Sequence, residues 1–372
     1  MDYETRARET QCRMTVTPSS NVEHLSVVMT TETADDVTQT TSIVRSSSSS
    51  LGIAFYFRCA VVVIGVVGTA ANALILYALV VSKQHKKHVL IFHQNVLDFA
   101  SSLLLVITFS LKLCAIPSTG TGGYLFCMLF ETDHFLWVVI PASKINLTFV
   151  TIERYLKVVY AVWSQNKLRN WMLYLAMTFA WISGFVHISA TAFSSTKVVD
   201  GVCYAYMFWE SPASLLANGV FYFFYFYAVV FIILILCYWR ILVVIRRQAR
   251  VMASHGSTSG QAQSQQIQTN VVKTMILVSA LFAICDTPIN VYYMMRAVGN
   301  FASVNYVVFY TTLFVSFLYI CANPFIYASK FDPVRNILLK LIPCKKTSVH
   351  LIESVEVDTF RTSTSRSGQT RY

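Results

Sequence analysis

Three acidic or basic side chains lie near the middle of long apolar stretches of the sequence: Asp98, Lys144 and Asp286. A charge at the centre of a membrane costs about 2.5 to 3.5 kcal/mol on insertion scales, so each of these residues needs a partner or a function. Side chains of these types could bind a cation, relay a proton or neutralise one another. Which of these they do depends on the depth at which the surrounding elements hold them.

Lys144 and Asp286 are predicted to lie at similar depths. Lys144 is ten residues from Arg154, about 15 Å along a helix, and Asp286 is thirteen residues from Lys273, about 20 Å along another. A lysine side chain can span the difference of about 5 Å, but it is too deep to reach water. We predict that the two residues form an ion pair. The alternatives are a pair between Lys144 and Asp98, and a neutral Lys144.

Seven apolar runs hold these residues, each long enough to cross about 30 Å of hydrocarbon. The chain is 55% hydrophobic and 13% charged, well below the roughly 25% charged residues of a soluble domain. Both features predict an all-α membrane protein, a seven-transmembrane helix bundle. The predicted runs are Ile53–Val81, Val89–Leu113, Leu125–Val159, Trp171–Ala192, Leu215–Val244, Val271–Val298 and Val304–Ala328.

The net charge of +11 orients this bundle. Basic residues collect in the short loops after the first, third and fifth runs, which predicts that these loops are cytoplasmic and that the N-terminus lies outside. No basic patch interleaved with aromatic residues occurs outside the membrane runs, so nucleic acid is not an expected partner. The nine cysteines form neither Cys-x-x-Cys pairs nor a Cys/His cluster, so they do not predict a metal site.

The remaining regions are predicted from composition. Residues 1–50 are rich in Ser and Thr and are expected to be a disordered extracellular segment. Residues 51–344 form the membrane domain and end in a short amphipathic cytoplasmic helix, where Cys344 is expected to be palmitoylated rather than a free thiol. Residues 345–372 are expected to be a disordered cytoplasmic tail. The Ser-, Gly- and Gln-rich connection from Gln248 to Asn270 is expected to be flexible.

Two motifs carry a family resemblance. The segment Leu147 to Tyr160, with Glu153-Arg154-Tyr155, closely resembles the end of the third helix in rhodopsin-like (class A) G-protein-coupled receptors. The seventh run ends in Asn323-Pro324-Phe325-Ile326-Tyr327, which resembles the family's Asn-Pro-x-x-Tyr. The resemblance implies a receptor that passes an extracellular signal to a heterotrimeric G protein. It assigns coupling and switching roles to Glu153, Arg154, Tyr155, Tyr238, Asn323, Pro324 and Tyr327.

The resemblance also implies a sodium pocket and a disulfide. Asp98 and Ser143 match the family's allosteric sodium site, and no other cofactor is required. The alternative is a protonated Asp98 in a hydrogen-bond network with Asn72 and Asn323. The family joins the cysteines that correspond to Cys127 and Cys203. The spacing from Cys127 to Arg154 is two residues longer than usual, which predicts a bulge or an offset disulfide.

The sequence departs from the family at several positions. Asp286 stands where the family usually has a tryptophan switch. Leu136 replaces the acid of amine receptors and Phe317 replaces the lysine that binds retinal, so neither ligand is expected. Asp200-Gly201 between β-prone runs predicts a hairpin lid, as in peptide-binding members.

A peptide is therefore the expected ligand, with a lipid or small metabolite as the alternative. The ligand contacts predicted at the outer rim are Glu131, Asp133, His134, Trp137, Trp209, Glu210, Tyr292 and Arg296.

The tail suggests further partners. Hydroxyl residues lie among arginines from Thr359 to Ser367, which predicts phosphorylation by receptor kinases and recruitment of arrestin. The terminal Thr370-Arg371-Tyr372 fits a PDZ groove. Enzyme motifs are absent from the sequence. An ion or proton transporter that uses Asp98, Lys144 and Asp286 is a second class, which the lack of an inverted-repeat pattern disfavours.

Overall fold

The computed structural model describes residues 37–113, 120–255, 259–299 and 305–341. It contains seven helices long and apolar enough to cross a membrane, which confirms the predicted seven-helix bundle. Side chains are described for most of these residues, the exceptions being 37–51, 249, 252–268, 332, 333 and 341. The spans, numbered first to seventh below, are Gly52–Val81, Val89–Leu111, Gly120–Val159, Asn170–Ser195, Pro212–Gln248, Thr269–Ala297 and Tyr306–Lys330.

The helices that build these spans have bounds of their own. The first span belongs to the helix Val37–Val81, and the sixth to the helix Ser259–Ala297. Two spans contain a wider π-helical turn: Cys127–Glu131 in the third and Phe224–Ala228 in the fifth. Around these turns, the third span is formed by the helices Gly120–Phe126 and His134–Val159. The fifth is formed by Pro212–Phe223 and by the first part of Val229–His255, a helix that continues beyond the span. Short helices are Gln84–Lys87, Ala161–Lys167 and Asp332–Leu341.

The third span is the centre of the bundle. Its most apolar segment is 78% buried, against 17% for the fourth span, and it contacts the second, fourth, fifth and sixth spans. Small residues let the backbones approach. A Cβ added to Gly184 of the fourth span would lie 2.5 Å from the Val138 carbonyl oxygen of the third. The polar side chains of the third span are therefore held between helices rather than against lipid.

Two predicted local features are confirmed at the end of the bundle that carries the disulfide, called here the hairpin end. Strand β1, Lys197–Val199, pairs antiparallel with β2, Val202–Tyr204. Asp200 and Gly201 form the turn with φ of 51° and 77°, both in the left-handed region that such a turn requires. The predicted bulge is the π-helical turn at Cys127, followed by Asp133 at φ 53°.

Other predicted boundaries need correction. The connection from Gln248 to Asn270 is helical except at residues 256–258, which lie outside the described part. Its many Gln and Ala residues are good helix formers, and that outweighed the Ser and Gly content. Similarly, the first helix begins at Val37, inside the segment 1–50 that composition predicted to be disordered. Residues 1–36, Cys344 and the tail 345–372 lie outside the described residues.

Candidate functional site

Lys144 and Asp286 form an ion pair inside the bundle, as predicted from their depth. The Lys144 Nζ lies 2.7 Å from the Asp286 Oδ2, and the two side chains are only 4% and 3% exposed. The pair joins the third span to the sixth. Asp98, the alternative partner, makes its hydrogen bonds elsewhere.

The pair is asymmetric in its other contacts. Asp286 accepts hydrogen bonds from Asn290 Nδ2 at 2.6 Å and from Ser316 Oγ at 3.0 Å. The Lys144 ammonium lies 5.6 Å from the centre of the Tyr222 ring and 6.0 Å from that of Phe282, where cation–π attraction supports it. The carboxylate therefore keeps two hydrogen-bond donors if the lysine is removed, whereas the ammonium keeps mainly aromatic faces if the aspartate is removed.

Asp98 is the centre of a second polar cluster. Its Oδ1 accepts from Gln94 Nε2 at 3.2 Å and from Ser143 Oγ at 3.3 Å, and its Oδ2 accepts from Asn323 Nδ2 at 2.9 Å. Asn72 reaches the cluster indirectly, by donating to Ser102 Oγ at 3.1 Å. This is the network of the alternative interpretation of Asp98, with Gln94 as an additional member.

Gln94 bears directly on the predicted sodium ion. Its Nε2 donates both to Asp98 Oδ1 and to Ser143 Oγ, the latter at 2.6 Å. Asp98 and Ser143 are the residues that would hold the sodium ion. The arrangement fits an amide nitrogen rather than a cation, so a sodium ion would have to displace Gln94. Sodium at Asp98 and Ser143 stays a prediction.

The Asp98 cluster extends to the fourth span through residues that the sequence did not single out for this purpose. Asn146 Nδ2 donates to Gln94 Oε1 at 2.9 Å. His93 donates from Nδ1 to Asn146 Oδ1 at 2.9 Å and accepts at Nε2 from Trp181 Nε1 at 3.1 Å. Two hydrogen bonds on opposite ring nitrogens fix the tautomer of this histidine. This series of hydrogen bonds links the second, third and fourth spans.

At the opposite end of the bundle, called here the Arg154 end, the guanidinium is held by two neighbours. Arg154 donates from one Nη to Glu153 Oε2 at 3.1 Å and to His88 Nδ1 at 3.0 Å. Lys157 makes a further ion pair with Glu153 at 2.5 Å. Burial, followed by the positive charge of Arg154, lowers the pKa of His88 to about 4. A neutral His88 is therefore the acceptor that helps to position Arg154.

The predicted switch residues lie between these two ends. Tyr238 shares hydrogen bonds with Thr151 at 3.0 Å and with Ser279 at 3.1 Å, so its hydroxyl joins the third, fifth and sixth spans. Pro324 lies inside the seventh helix, and Tyr327 is 1% exposed. The ring of Tyr155, which directly follows Arg154, packs edge-on against the ring of Tyr160, with the ring centres 5.7 Å apart. Tyr238 and Tyr327 are thus held within the bundle.

A cavity of about 440 Å³ lies among the third to seventh spans at the hairpin end. Its lining is rich in aromatic residues, and Arg296 is the only residue among the described lining that carries a full charge. Tyr222 and Asn290, which contact the Lys144–Asp286 pair, also line it. The aromatic lining residues are Trp137, Tyr206, Trp209, Tyr222, Phe223, Tyr293, Tyr306, Phe309 and Tyr310.

Three of the predicted ligand contacts line this cavity: Trp137, Trp209 and Arg296. The other five do not: Glu131, Asp133, His134, Glu210 and Tyr292 are absent from its described lining. Asp133 pairs with Lys112 at 2.7 Å, His134 contacts Ser189 and Phe185, and Tyr292 is buried against Phe309. The sequence places all eight near the hairpin end, but it does not reveal which face of a helix each residue occupies.

The hairpin is fastened over this end of the bundle. Cys127 and Cys203 form a disulfide with a Cα–Cα distance of 5.6 Å, which confirms the pairing that the resemblance implied. Tyr206 adds a second attachment, because its hydroxyl donates to the Thr132 carbonyl at 3.0 Å. Burial raises the pKa of this tyrosine, so the hydroxyl keeps its proton for that bond.

Comparisons with known proteins agree with this arrangement. The family model of the 7 transmembrane receptor (rhodopsin family) matches residues 71–327. The somatostatin receptor type 4 of Rattus norvegicus is 20% identical over 296 residues, which cover 78% of this chain and 74% of that receptor. Members of this family are signalling receptors rather than enzymes. The chain belongs to the rhodopsin family of seven-transmembrane receptors.

Proposed function

We propose that this protein is a G-protein-coupled receptor of the plasma membrane that transmits the binding of an extracellular ligand to a heterotrimeric G protein. The observation that carries the proposal is the Arg154 end. There a family-matching Glu153-Arg154-Tyr155 segment presents a guanidinium that is held by Glu153 and His88. Both contacts can open without unfolding a helix, so Arg154 can become available to a partner.

The orientation follows from the loops. Lysines and arginines lie at the end of the fifth span or in the segments that follow the first, third and fifth spans: Lys83, Lys86, Lys87, Lys167, Arg169, Arg246, Arg247 and Arg250. They share the end that carries Arg154, so the positive-inside rule assigns that end to the cytoplasm. The hairpin and the cavity then face the outside, where a ligand can enter and where a disulfide persists.

The ligand class that we propose is a peptide. It is supported by the hairpin, by the open aromatic cavity and by the similarity to a somatostatin receptor. A lipid or small metabolite is the alternative for the same cavity. Aromatic walls suit either class, because they bind apolar groups without requiring a unique polar partner.

Activation is proposed as a population shift between two arrangements of the sixth span. A ligand that contacts Tyr222 and Asn290 changes the surroundings of Lys144 and Asp286, and so the packing of the sixth span against the third. The same span carries Ser279, whose hydroxyl donates a hydrogen bond to the Tyr238 hydroxyl. This hydrogen bond lies near the Arg154 end. Movement of the sixth span would release that bond and open the cytoplasmic side to the G protein.

A cell-based screen tests the function. Peptide and metabolite libraries are applied to cells that express the receptor, and dissociation of each class of G protein is recorded. Every hit is repeated on Arg154→Ala at equal surface expression. We expect signalling to be abolished in that variant. Lys157→Ala is the matched control. In the wild type Lys157 also forms an ion pair with Glu153, but the lysine side chain is 37% exposed, so signalling should persist in this variant. Wild-type signalling from Arg154→Ala would refute the proposal.

The tail offers a separate test of partner recruitment. Phosphorylation of the hydroxyl residues between Thr359 and Ser367 would add charges of about −2 each, which arrestin can recognise. Truncation after Asp358 should therefore reduce arrestin recruitment by the activated receptor without reducing G-protein dissociation. Unchanged recruitment would leave the tail with a solvating role only.

A further inference from the structure

The charges around the cavity are unevenly distributed. Arg296 is the only fully charged residue of its described lining. Three acids at the hairpin end do not offset it, because Asp133 is paired with Lys112 at 2.7 Å and neither Glu131 nor Glu210 belongs to that lining. The cavity therefore presents one positive charge and no described negative charge to a ligand.

Arg296 is exposed, and its guanidinium has no hydrogen-bond or ion-pair partner among the residues that the structure describes. Other cations at the same end are engaged: Lys112 with Asp133, Arg58 with the Lys112 carbonyl at 2.6 Å, and Lys197 over the Phe208 ring. The linker that follows, residues 300–304, contains no acidic residue in its sequence. An unpaired guanidinium on the wall of an aromatic cavity is suited to bind an anion.

A second polar group in the same lining needs a donor. Asn290 is 1% exposed, and its Nδ2 is committed to the backbone oxygen and the Oδ2 of Asp286 at 2.7 and 2.6 Å. Those two acceptors fix the orientation of the amide, and its Oδ1 is buried without a hydrogen-bond partner. A buried acceptor left unpaired is unfavourable, so a ligand that donates to it would recover that free energy.

The separation of Arg296 and Asn290 sets the length of the ligand. Asn290 and Arg296 are six residues apart on one helix, about 9 Å along the axis, with Asn290 deeper. Aromatic rings, including those of Trp137 and Tyr293, line the same cavity. The ligand therefore needs an anionic end, an apolar body and an N–H or O–H donor at the far end.

We propose that the ligand is an aromatic carboxylate, with its carboxylate on Arg296 and an N–H donor on Asn290. A monoanion matches the single arginine, whereas a phosphate would retain an unneutralised charge. Two sources share this chemistry: the free C-terminus of a peptide that ends in aromatic residues, and a free N-acyl aromatic amino acid. The inference rests on the proposed receptor function, which it narrows by assigning the ligand's charge and polarity.

The test measures binding without a G protein. Purified full-length receptor in detergent is heated with N-acetyl-Trp-Phe or N-acetyl-Trp, each as the free acid and as the matching C-terminal amide, and the apparent melting temperature is followed against probe concentration. We expect at least one free acid to stabilise the receptor at concentrations about tenfold below those of its amide. The acid that stabilises the receptor at the lower concentration then identifies the source. Stronger stabilisation by the dipeptide indicates a peptide terminus, and stronger stabilisation by the single residue indicates an N-acyl amino acid.

Variants locate the contact. Arg296→Gln should weaken binding of the acid about tenfold or more, and should remove the preference for acid over amide. Arg296→Lys should retain part of that preference, because it keeps the charge but not the bidentate fork. Lys197→Gln is the matched control, since it removes one cation from the same end at a residue absent from the described lining. The affinity of the Lys197→Gln variant for the acid should stay within about twofold of that of the wild type.

Three results would overturn the proposal: no stabilisation by either acid, equal stabilisation by the amides, or unchanged acid binding in Arg296→Gln. Because this assay contains no G protein, its failure is distinguishable from failure of the proposed function. Acid binding without G-protein coupling would refute the receptor function only, and coupling without acid binding would refute this inference only.

Discussion

Replacement of the Lys144–Asp286 ion pair has the effect on stability that the structure predicts in most detail. Three variants are needed: Lys144→Met, Asp286→Leu and the double variant. Each single change leaves one ionisable group in a site where the side chains are 4% and 3% exposed. The double change replaces the pair with apolar side chains of similar volume.

The expected magnitudes differ among the three. Removing one partner of a buried pair costs about 3 to 5 kcal/mol, whereas replacing both with apolar residues is often neutral or stabilising. Lys144→Met should lie at the lower end, because Asp286 keeps its bonds from Asn290 and Ser316. Asp286→Leu should lie at the upper end, because the ammonium keeps mainly the rings of Tyr222 and Phe282. At about 2 °C per kcal/mol for a large domain, the single variants lose about 6 to 10 °C.

The assay is the apparent melting temperature of detergent-solubilised receptor, with surface expression as a second readout. The double variant should recover to within about 2 °C of wild type. The control cycle uses Lys112→Met and Asp133→Leu, a pair with the same 2.7 Å separation but side chains 12% and 17% exposed, and should give a smaller coupling energy. Additive losses at Lys144 and Asp286, or equal coupling in both cycles, would contradict the reasoning.

The remaining predictions concern other parts of the bundle. The folded state lowers the pKa of His88 to about 4, so the unfolded chain binds more protons below about pH 6.5. Thermal stability should therefore fall as the pH drops from 6.5 towards 4, and less so in His88→Asn; parallel pH curves for the two proteins would contradict this. Replacing Cys127 or Cys203 by Ser should cost about 2 to 5 kcal/mol and reduce surface expression, and the double replacement should be no worse than either single one; a further loss in the double variant would argue against a shared bond. Gly184→Ala should sharply lower the melting temperature because its Cβ would lie 2.5 Å from a backbone oxygen, whereas Gly122→Ala, with nothing within 4 Å of its Cβ, should not; equal effects would refute the packing argument.

Much of the fold follows from sequence because a membrane limits the possibilities. Apolar runs of sufficient length must be helices there, so the seven spans were predicted to within a few residues at most ends. Depth along a helix is a product of residue count and rise, and that brought Lys144 and Asp286 to one level. The hairpin at Asp200 and Gly201 was predictable because few residue pairs adopt two left-handed conformations in succession.

The parts that could not be predicted depend on helix rotation and on exact side-chain reach. Glu131 and Asp133 lie at the correct end of the third span, but the π-helical turn at Cys127 determines their direction, and Asp133 points to Lys112. The role of Gln94 between Asp98 and Ser143 depends on two interatomic distances that no spacing rule supplies. Asn290 was within reach of sequence reasoning, since it lies four residues after Asp286 on the same helical face.

We propose that this chain is a receptor that activates a heterotrimeric G protein through Arg154. The most direct measurement is the rate at which purified heterotrimers of each class bind a non-hydrolysable GTP analogue when mixed with purified receptor in lipid nanodiscs. We predict that wild-type receptor accelerates exchange on at least one class in proportion to its concentration, and that Arg154→Ala, with an unchanged melting temperature, does not. Acceleration of no class, or the same acceleration by Arg154→Ala, would contradict the claim.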